Sequence, residues 1–239
     1  MQSCLVTGAT GFVGAELCRK LHQSGIFVKA AYRPHGSVPN FPLGVTPVAI
    51  GSIGPESQFA GVLDKVDTVL HLAARVHVMK DTDKDPLAAF RNLNTLGTET
   101  LARQAAAAGV RRFVYVSSIK VNGERTPTGI AFTEFDLHLP RDPYGISKSE
   151  AEQALHRVAG ETGMEIVIVR PPLVYGQGVK GNFAKMLQAL HQGLPLPLGT
   201  IDNLRSLLYV ENLVDALVLC ANHQAAANNT YLVSHGEDA

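Results

Sequence analysis

Short apolar runs recur at residues 3–7, 27–32, 45–50, 68–72, 112–116 and 165–169, several of them apolar at successive rather than alternate positions. Strands buried on both faces between helix layers carry that pattern. The intervals at 11–24, 85–108 and 142–161 show the spacing of amphipathic helices, and "R-Q-A-A-A-A-G" closes the second of them at Gly109. Strand, helix, strand in this rhythm predicts an α/β chain built on a doubly wound parallel sheet. After Arg170 the texture changes. Prolines and glycines break up "R-P-P-L-V-Y-G-Q-G-V-K-G-N", then a helix is predicted at 182–192, a strand at 205–209, a helix at 211–222 and a strand at 230–233. The chain therefore divides into a sheet-forming unit, 1–170, and a smaller lobe, 171–239, interleaved with the sheet.

Composition narrows the picture without redirecting it. The 239 residues are 46% hydrophobic, with 21 basic against 21 acidic side chains, so a soluble globular protein is expected and nothing in its charge calls for nucleic acid or an anionic membrane. Cys4, Cys18 and Cys220 lie far apart, in neither a metal spacing nor a disulfide framework, which fits a reducing cytoplasm. Met1 leads directly into a strand-like run, so no signal peptide is expected, and no apolar run approaches the roughly 20 residues that span a bilayer. The end, "V-S-H-G-E-D-A", places Ser234 and Asp238 to start a helix that does not follow, and the smaller lobe reads as cut short.

Chemistry enters at "V-T-G-A-T-G-F-V-G", directly after the first strand, with Gly8, Gly11 and Gly14 spaced G-x-x-G-x-x-G. Glycines there allow a tight turn, close approach of backbone to a pyrophosphate, and close packing of helix on sheet, while the helix N-terminus faces the negative charge. A plain strand–helix connector is the other reading of the same residues. After the second strand a carboxylate would hold a ribose 2′-hydroxyl, and an arginine accommodates a 2′-phosphate. This chain has Tyr32 followed by Arg33, which favours NADP(H) over NAD(H) unless Arg33 is only a solvated loop residue.

A second motif is "R-D-P-Y-G-I-S-K-S-E". Asp142 can cap a helix whose first position suits Pro143, so Tyr144 and Lys148 lie four apart on one face. A phenol titrates near roughly 10, and a neighbouring ammonium favours the phenolate. The pair predicts Tyr144 as a general acid or base near neutrality.

In this order along the chain, "T-G-A-T-G-F-V-G", "H-L-A-A" at 71–74, "N-T-L-G-T" at 94–98, "V-S-S" and "Y-G-I-S-K" resemble the extended short-chain dehydrogenase/reductase family of nucleotide-sugar epimerases, dehydratases and ketoreductases. The resemblance covers essentially the whole chain. It implies a Rossmann-like fold, with Ser118 on the reacting oxygen, Tyr144 transferring its proton, and Lys148 holding the nicotinamide ribose and tuning Tyr144. It also implies a dinucleotide held by Gly8, Thr10, Gly11, Phe12, Val13, Gly14, Arg33, Leu72, Ala73, Ala74, Tyr144, Lys148 and Pro171. Arg205 in "R-S-L-L-Y-V-E-N" and Asn182 in "K-G-N-F" are placed by it, with Ser118, at a nucleotide-sugar substrate, although Arg205 also reads as a surface ion-pairing residue. A homodimer is implied, and no metal. His71 is expected to be a packing residue at a strand end, and Asn94 either supports the site or is a plain structural amide.

In family dehydratases, the two positions after the strand-exit hydroxyl hold an acid pair that removes water; here they are Ile119 and Lys120, so dehydration is not expected. Reduction of a UDP-4-keto-6-deoxy-N-acetylhexosamine by NADPH is favoured, with a UDP-hexose or UDP-N-acetylhexosamine 4-epimerase holding NAD as the alternative. "H-L-A-A-R-V-H-V-M-K-D-T" with "S-S-I-K-V-N-G" also resembles bacterial family members of surface-polysaccharide biosynthesis. A non-catalytic dinucleotide sensor is disfavoured by intact Ser118, Tyr144 and Lys148. Ser117 faces either the nicotinamide or the sheet, and Lys120 is either a substrate contact or a solvated charge.

Overall fold

The computed structural model describes residues 1–34, 37–76, 84–179, 181–194 and 204–236. Seven strands form one parallel sheet: β1 (Ser3–Thr7), β2 (Phe27–Tyr32), β3 (Thr46–Ala49), β4 (Thr68–His71), β5 (Arg112–Val116), β6 (Glu165–Arg170) and, last in the chain, β9 (Thr230–Leu232). Their spatial order is β3-β2-β1-β4-β5-β6-β9. The chain winds one way from β1 to β3 and the other way from β4 onward, so a crevice opens beyond the carboxyl ends of β1 and β4, where open sheets of this kind bind ligands.

Successive residues of the strands bury on opposite faces. Cys4 and Val6 of β1 pack under α1 (Phe12–Gln23) and α6 (Val210–Asn222) with Leu17, Leu21, Leu213 and Leu217. Leu5 between them packs on the other face with Leu101, Leu155 and Val158, from α3 (Thr98–Ala107) and α4 (Pro143–Thr162). Two such layers explain the unbroken apolar runs. All three cysteines are free and buried in the first cluster, and burial pushes the Cys18 and Cys220 thiols up to about 12 and about 11.

Residues after 170 return to the sheet through α6 and β9. Between them and β6 stand β7 (Leu173–Tyr175), α5 (Gly181–His191) and β8 (Leu207–Tyr209), with β7 and β8 paired in parallel. The predicted strand at 205–209 starts two residues later than expected, and β7, a three-residue strand between Pro172 and Gly176, is too short to show a period. Arg112 is wholly buried at the start of β5, where it pairs with Glu165 and donates to the Cys220 and His223 carbonyls at 2.8 Å each. That guanidinium closes the C-terminus of α6.

The single helix expected at 85–108 is three pieces: α2 (Pro86–Phe90), a π-helical turn (Arg91–Gly97) and α3. Asp85 caps the start, accepting from the Ala88 N–H at 3.0 Å. At the far end of the π turn a Cβ on Gly97 would lie 2.7 Å from the Ile53 Cγ2 methyl and 3.0 Å from the Gly54 nitrogen, so a larger residue there would force the 53–54 segment to shift. Helix α4 begins as the sequence predicts, with Pro143 in its first turn and the Asp142 carboxylate accepting from the Gly145 N–H at 2.7 Å, and ends at Gly163 in the left-handed region (φ 75°).

Candidate active site

The glycine turn is sterically compulsory. Gly8 has φ +68°, a Cβ on it would lie 2.8 Å from the Ala73 nitrogen, and one on Gly14 would lie 2.1 Å from the Gly8 carbonyl oxygen. Thr7, which ends β1, also takes the Ala73 N–H on its hydroxyl at 3.2 Å, so the turn and the 72–74 segment form one rim of the crevice. Helix α1 starts at Phe12 behind Gly11, with no side-chain cap and no acidic residue in its first turn. Its N–H groups are left for an anion, and the cradle fits a dinucleotide pyrophosphate. Gly14→Ala is expected to cost about tenfold or more in dinucleotide affinity, checked by nicotinamide fluorescence titration; affinity equal to wild type would sever the turn from the dinucleotide.

Thr10 is exposed on this rim, while Phe12, Val13, Leu72, Ala73 and Ala74 are half-buried along it. Arg33 is exposed just past β2, next to β1 in the sheet, where no carboxylate stands. His71 is fully buried between the Thr7 and Thr98 hydroxyls, at 2.6 and 2.9 Å, and stacks on Tyr115. Burial, and then the charge of Lys148, push its imidazole down to about 3. It is the packing residue expected. The π turn brings Asn94 inward, where it accepts from the Arg75 N–H at 2.8 Å and donates to the Arg75 carbonyl and the Ser147 hydroxyl at 3.0 Å each. Asn94 thus clamps the segment after β4 to α4, the helix that carries Tyr144 and Lys148, which fits both the supporting and the structural reading.

Ser118 and Tyr144 meet. Ser118 begins the 3-10 turn Ile119–Val121 that follows β5, and its hydroxyl stands beside the Tyr144 phenol at the first turn of α4, where it favours the phenolate. Lys148 lies one turn further along α4, almost wholly buried, its ammonium donating to the Val116 carbonyl at 2.7 Å. It sits 4.4 Å from the Tyr115 ring centre and 5.9 Å from that of Tyr144. Pro171 is buried at the neighbouring strand exit and accepts from the Ile119 N–H at 3.0 Å.

The electrostatics correct one expectation. Lys148 does not bring the phenol toward neutrality here: loss of solvent pushes Tyr144 up to about 12, opposed by the Ser118 hydroxyl beside it and reinforced by the Asp142 carboxylate. Lys148 is itself pushed down to about 7 by burial, opposed by Glu152. Desolvation penalises both charged forms, and it outweighs an ammonium that is turned to a carbonyl. The phenol is therefore a proton donor through neutral pH.

Ser117 faces neither of its expected partners. Its hydroxyl donates to Glu152 of α4. Glu152, fully buried, pairs with Arg170 at the end of β6 at 2.6 Å, and Arg170 also donates to Asn122 at 2.9 Å and bonds His138 at 2.6 Å. His138 in turn meets Ser149 at 2.8 Å. This network beneath Ser118 and Tyr144 escaped the sequence reading, although Glu152 eight residues after Tyr144 and Arg170 ending an apolar strand are charges at positions the pattern buries. Lys120 bridges Glu124 and Asp142 at 2.8 Å each, so it is a solvated-edge ion pair rather than a lone loop charge.

The substrate-side expectations are less connected. Arg205 is exposed ahead of β8. Asn182 lies in the first turn of α5, but its side chain falls outside the described residues, as does Lys180. Among the described residues no cluster of His, Cys, Asp and Glu could hold a metal, and no helix is long and apolar enough to cross a membrane. What the site can do is bind a dinucleotide along β1 and exchange a proton with a hydroxyl or carbonyl oxygen brought between Ser118 and Tyr144.

The chain is similar to known proteins in sequence and fold. The model of the NAD dependent epimerase/dehydratase family matches residues 4–234. A UDP-glucose 4-epimerase of Vibrio cholerae is 46% identical over 99% of the chain, which covers 72% of its length. A GDP-6-deoxy-D-mannose reductase of Pseudomonas aeruginosa is 29% identical over 99% of the chain and 76% of its own. The solved structure of MoeE5 in complex with UDP-glucuronic acid and NAD superposes with a TM-score of 0.83 at 28% identity, covering 99% of this chain and 78% of that one.

Proposed function

The chain belongs to the NAD dependent epimerase/dehydratase family, and on that premise we propose that it performs NAD(P)-dependent oxidoreduction at C4 of a UDP-linked sugar, as the NADPH-dependent reduction of a UDP-4-keto-6-deoxy-N-acetylhexosamine. The observation that carries the reading is the half-buried Tyr144 phenol, which stands beside Ser118 and is held protonated by loss of solvent. Such a group is poised to give a proton, which is the direction of ketone reduction.

Gly8, Gly11, Gly14 and the first turn of α1 would hold the pyrophosphate, and Leu72, Ala73, Ala74 and Pro171 would flank the rest of the dinucleotide. When bound, the nicotinamide supplies hydride to the sugar carbon. The Ser118 hydroxyl then fixes the carbonyl oxygen, and Tyr144 donates the proton that turns the developing alkoxide into a hydroxyl. The Lys148 ammonium stands close enough to favour the phenolate this leaves. Arg205 and Asn182 are assigned to the UDP diphosphate, where an arginine fork suits phosphate oxygens. The family's dimeric habit is assigned to this chain on the same footing.

Arg33 supports NADPH, since it stands where a carboxylate would otherwise select NAD. Arg33→Ala is expected to lower NADPH affinity by about tenfold and leave NADH affinity unchanged, read by parallel titrations; equal loss of both, or of neither, removes the cofactor assignment.

A second reading, 4-epimerisation with NAD retained, is favoured by the name of the Vibrio cholerae relative and by the NAD in the MoeE5 complex. The experiment that separates them supplies the protein with the 4-keto sugar and NADPH, and separately with a UDP-hexose and catalytic NAD. Stoichiometric NADPH oxidation supports the reductase. Interconversion of two UDP-hexoses without net consumption of nicotinamide replaces it with the epimerase.

A further inference from the structure

Lys120 stands where dehydratases of the family carry an acid, and neither reading above uses it. Its backbone N–H donates to the Ser118 hydroxyl oxygen at 3.2 Å, and its ammonium donates to Glu124 and to Asp142 at 2.8 Å each. Asp142 is the N-cap of α4: one carboxylate oxygen takes the Gly145 N–H at 2.7 Å and the other takes Lys120. The turn and the helix touch elsewhere too. A Cβ on Gly145 would lie 3.1 Å from the Lys120 carbonyl oxygen, and the Leu139 N–H donates to the Val121 carbonyl at 3.0 Å. One ammonium thus ties the turn carrying Ser118 to the helix start carrying Tyr144.

We propose that Lys120 is a positioning residue for the Ser118–Tyr144 pair, locking the turn after β5 to the first turn of α4 and cancelling the Asp142 charge beside the phenol. The proposal rests on the oxidoreductase reading for its kinetic consequence, and on the geometry alone for its structural one. Among the described residues, the titratable and hydroxyl groups facing Tyr144 include Ser118 and Tyr115 from β5 and its exit, and Asp142 and Lys148 from the start of α4. Across the Phe90 ring of α2 lies the Arg75 guanidinium. Of these, Asp142 raises the Tyr144 phenol, and Lys120 is a cation bonded to Asp142. Removing that ammonium takes a positive charge from beside the carboxylate, which disfavours the phenolate further; removing the carboxylate does the reverse.

The test compares Lys120→Met, Lys120→Arg, Asp142→Asn and the Lys120→Met/Asp142→Asn double variant with wild type. Asparagine also caps helices, so Asp142→Asn removes the charge and keeps the cap. Hydrogen exchange in the first turn of α4, which needs no substrate, is expected to quicken by about tenfold in Lys120→Met. In the same variant kcat falls by about tenfold with the sugar KM unchanged. Lys120→Arg restores both exchange and kcat. In Asp142→Asn, which has already lost the carboxylate end of the lock, adding Lys120→Met changes neither further. Exchange and kcat equal to wild type in Lys120→Met overturn the proposal, and so does a raised KM with unchanged kcat, which would make Lys120 a sugar contact. Loss of turnover on every sugar by the wild-type protein would overturn the oxidoreductase reading while the exchange result still decides the lock.

Discussion

Tyr144→Phe is expected to lower kcat by roughly a hundred- to ten-thousand-fold, the usual worth of a positioned proton donor, and to leave NADPH binding unchanged. The substitution removes one oxygen from a ring that stays packed edge-on against Phe90, 6.2 Å away between centres, so the fold around it has no reason to move. The loss therefore falls on the chemical step. Steady-state kinetics with the 4-keto sugar, set beside a nicotinamide fluorescence titration, checks both halves. A variant as active as wild type would take the proton donation away from Tyr144.

The largest stability effect is expected at Arg170. Arg170→Met leaves the Glu152 carboxylate, at 0% exposure, without its guanidinium, strips the Asn122 side-chain oxygen of its donor, and frees His138. Breaking a buried pair from one side costs about 3–5 kcal/mol, which a urea titration resolves. Replacing both partners, as in Arg170→Met/Glu152→Leu, should recover most of that loss, because the orphaned charge goes with it. A single variant within about 0.5 kcal/mol of wild type would mean the pair is solvated in a way its burial denies. The network also joins β5's exit through Ser117, β6 through Arg170, α4 through Glu152 and Ser149, and the 122–138 segment through Asn122 and His138. The floor under Ser118 and Tyr144 should soften with it, and a loss of kcat beyond the fraction unfolded would register that.

The sheet was legible because both of its faces are covered. Cys4, Leu5 and Val6 each need an apolar residue, and a run without alternation reports a parallel strand between two helix layers. Gly8, Gly11 and Gly14 were legible because their constraint is local: a turn of a few residues demands them wherever it occurs. Tyr144, Lys148 and the Asp142 cap follow from helical spacing in the same way. The π turn at Arg91–Gly97 was not legible, since its seven residues keep the apolar spacing of the helix around them and Asn94 turns inward only through partners 19 and 53 residues away. Glu152 and Arg170 lie 18 residues apart on different elements, and period alone does not reveal that two distant charges share one buried site. The tuning of Tyr144 was not legible for a related reason: spacing puts an ammonium near the phenol but does not report that Lys148 is buried and turned to the Val116 carbonyl, nor that loss of solvent raises the phenol.

The central claim is a Tyr144-dependent reduction at C4. It is tested most directly by incubating the protein with a UDP-4-keto-6-deoxy-N-acetylhexosamine and NADPH carrying deuterium at its transferable position, and locating the label in the product by NMR. One deuterium at sugar C4 in the wild-type product, with no product formed by Tyr144→Phe, is the predicted result. Unlabelled product, label at any other carbon, or labelled product formed equally well by Tyr144→Phe would contradict it.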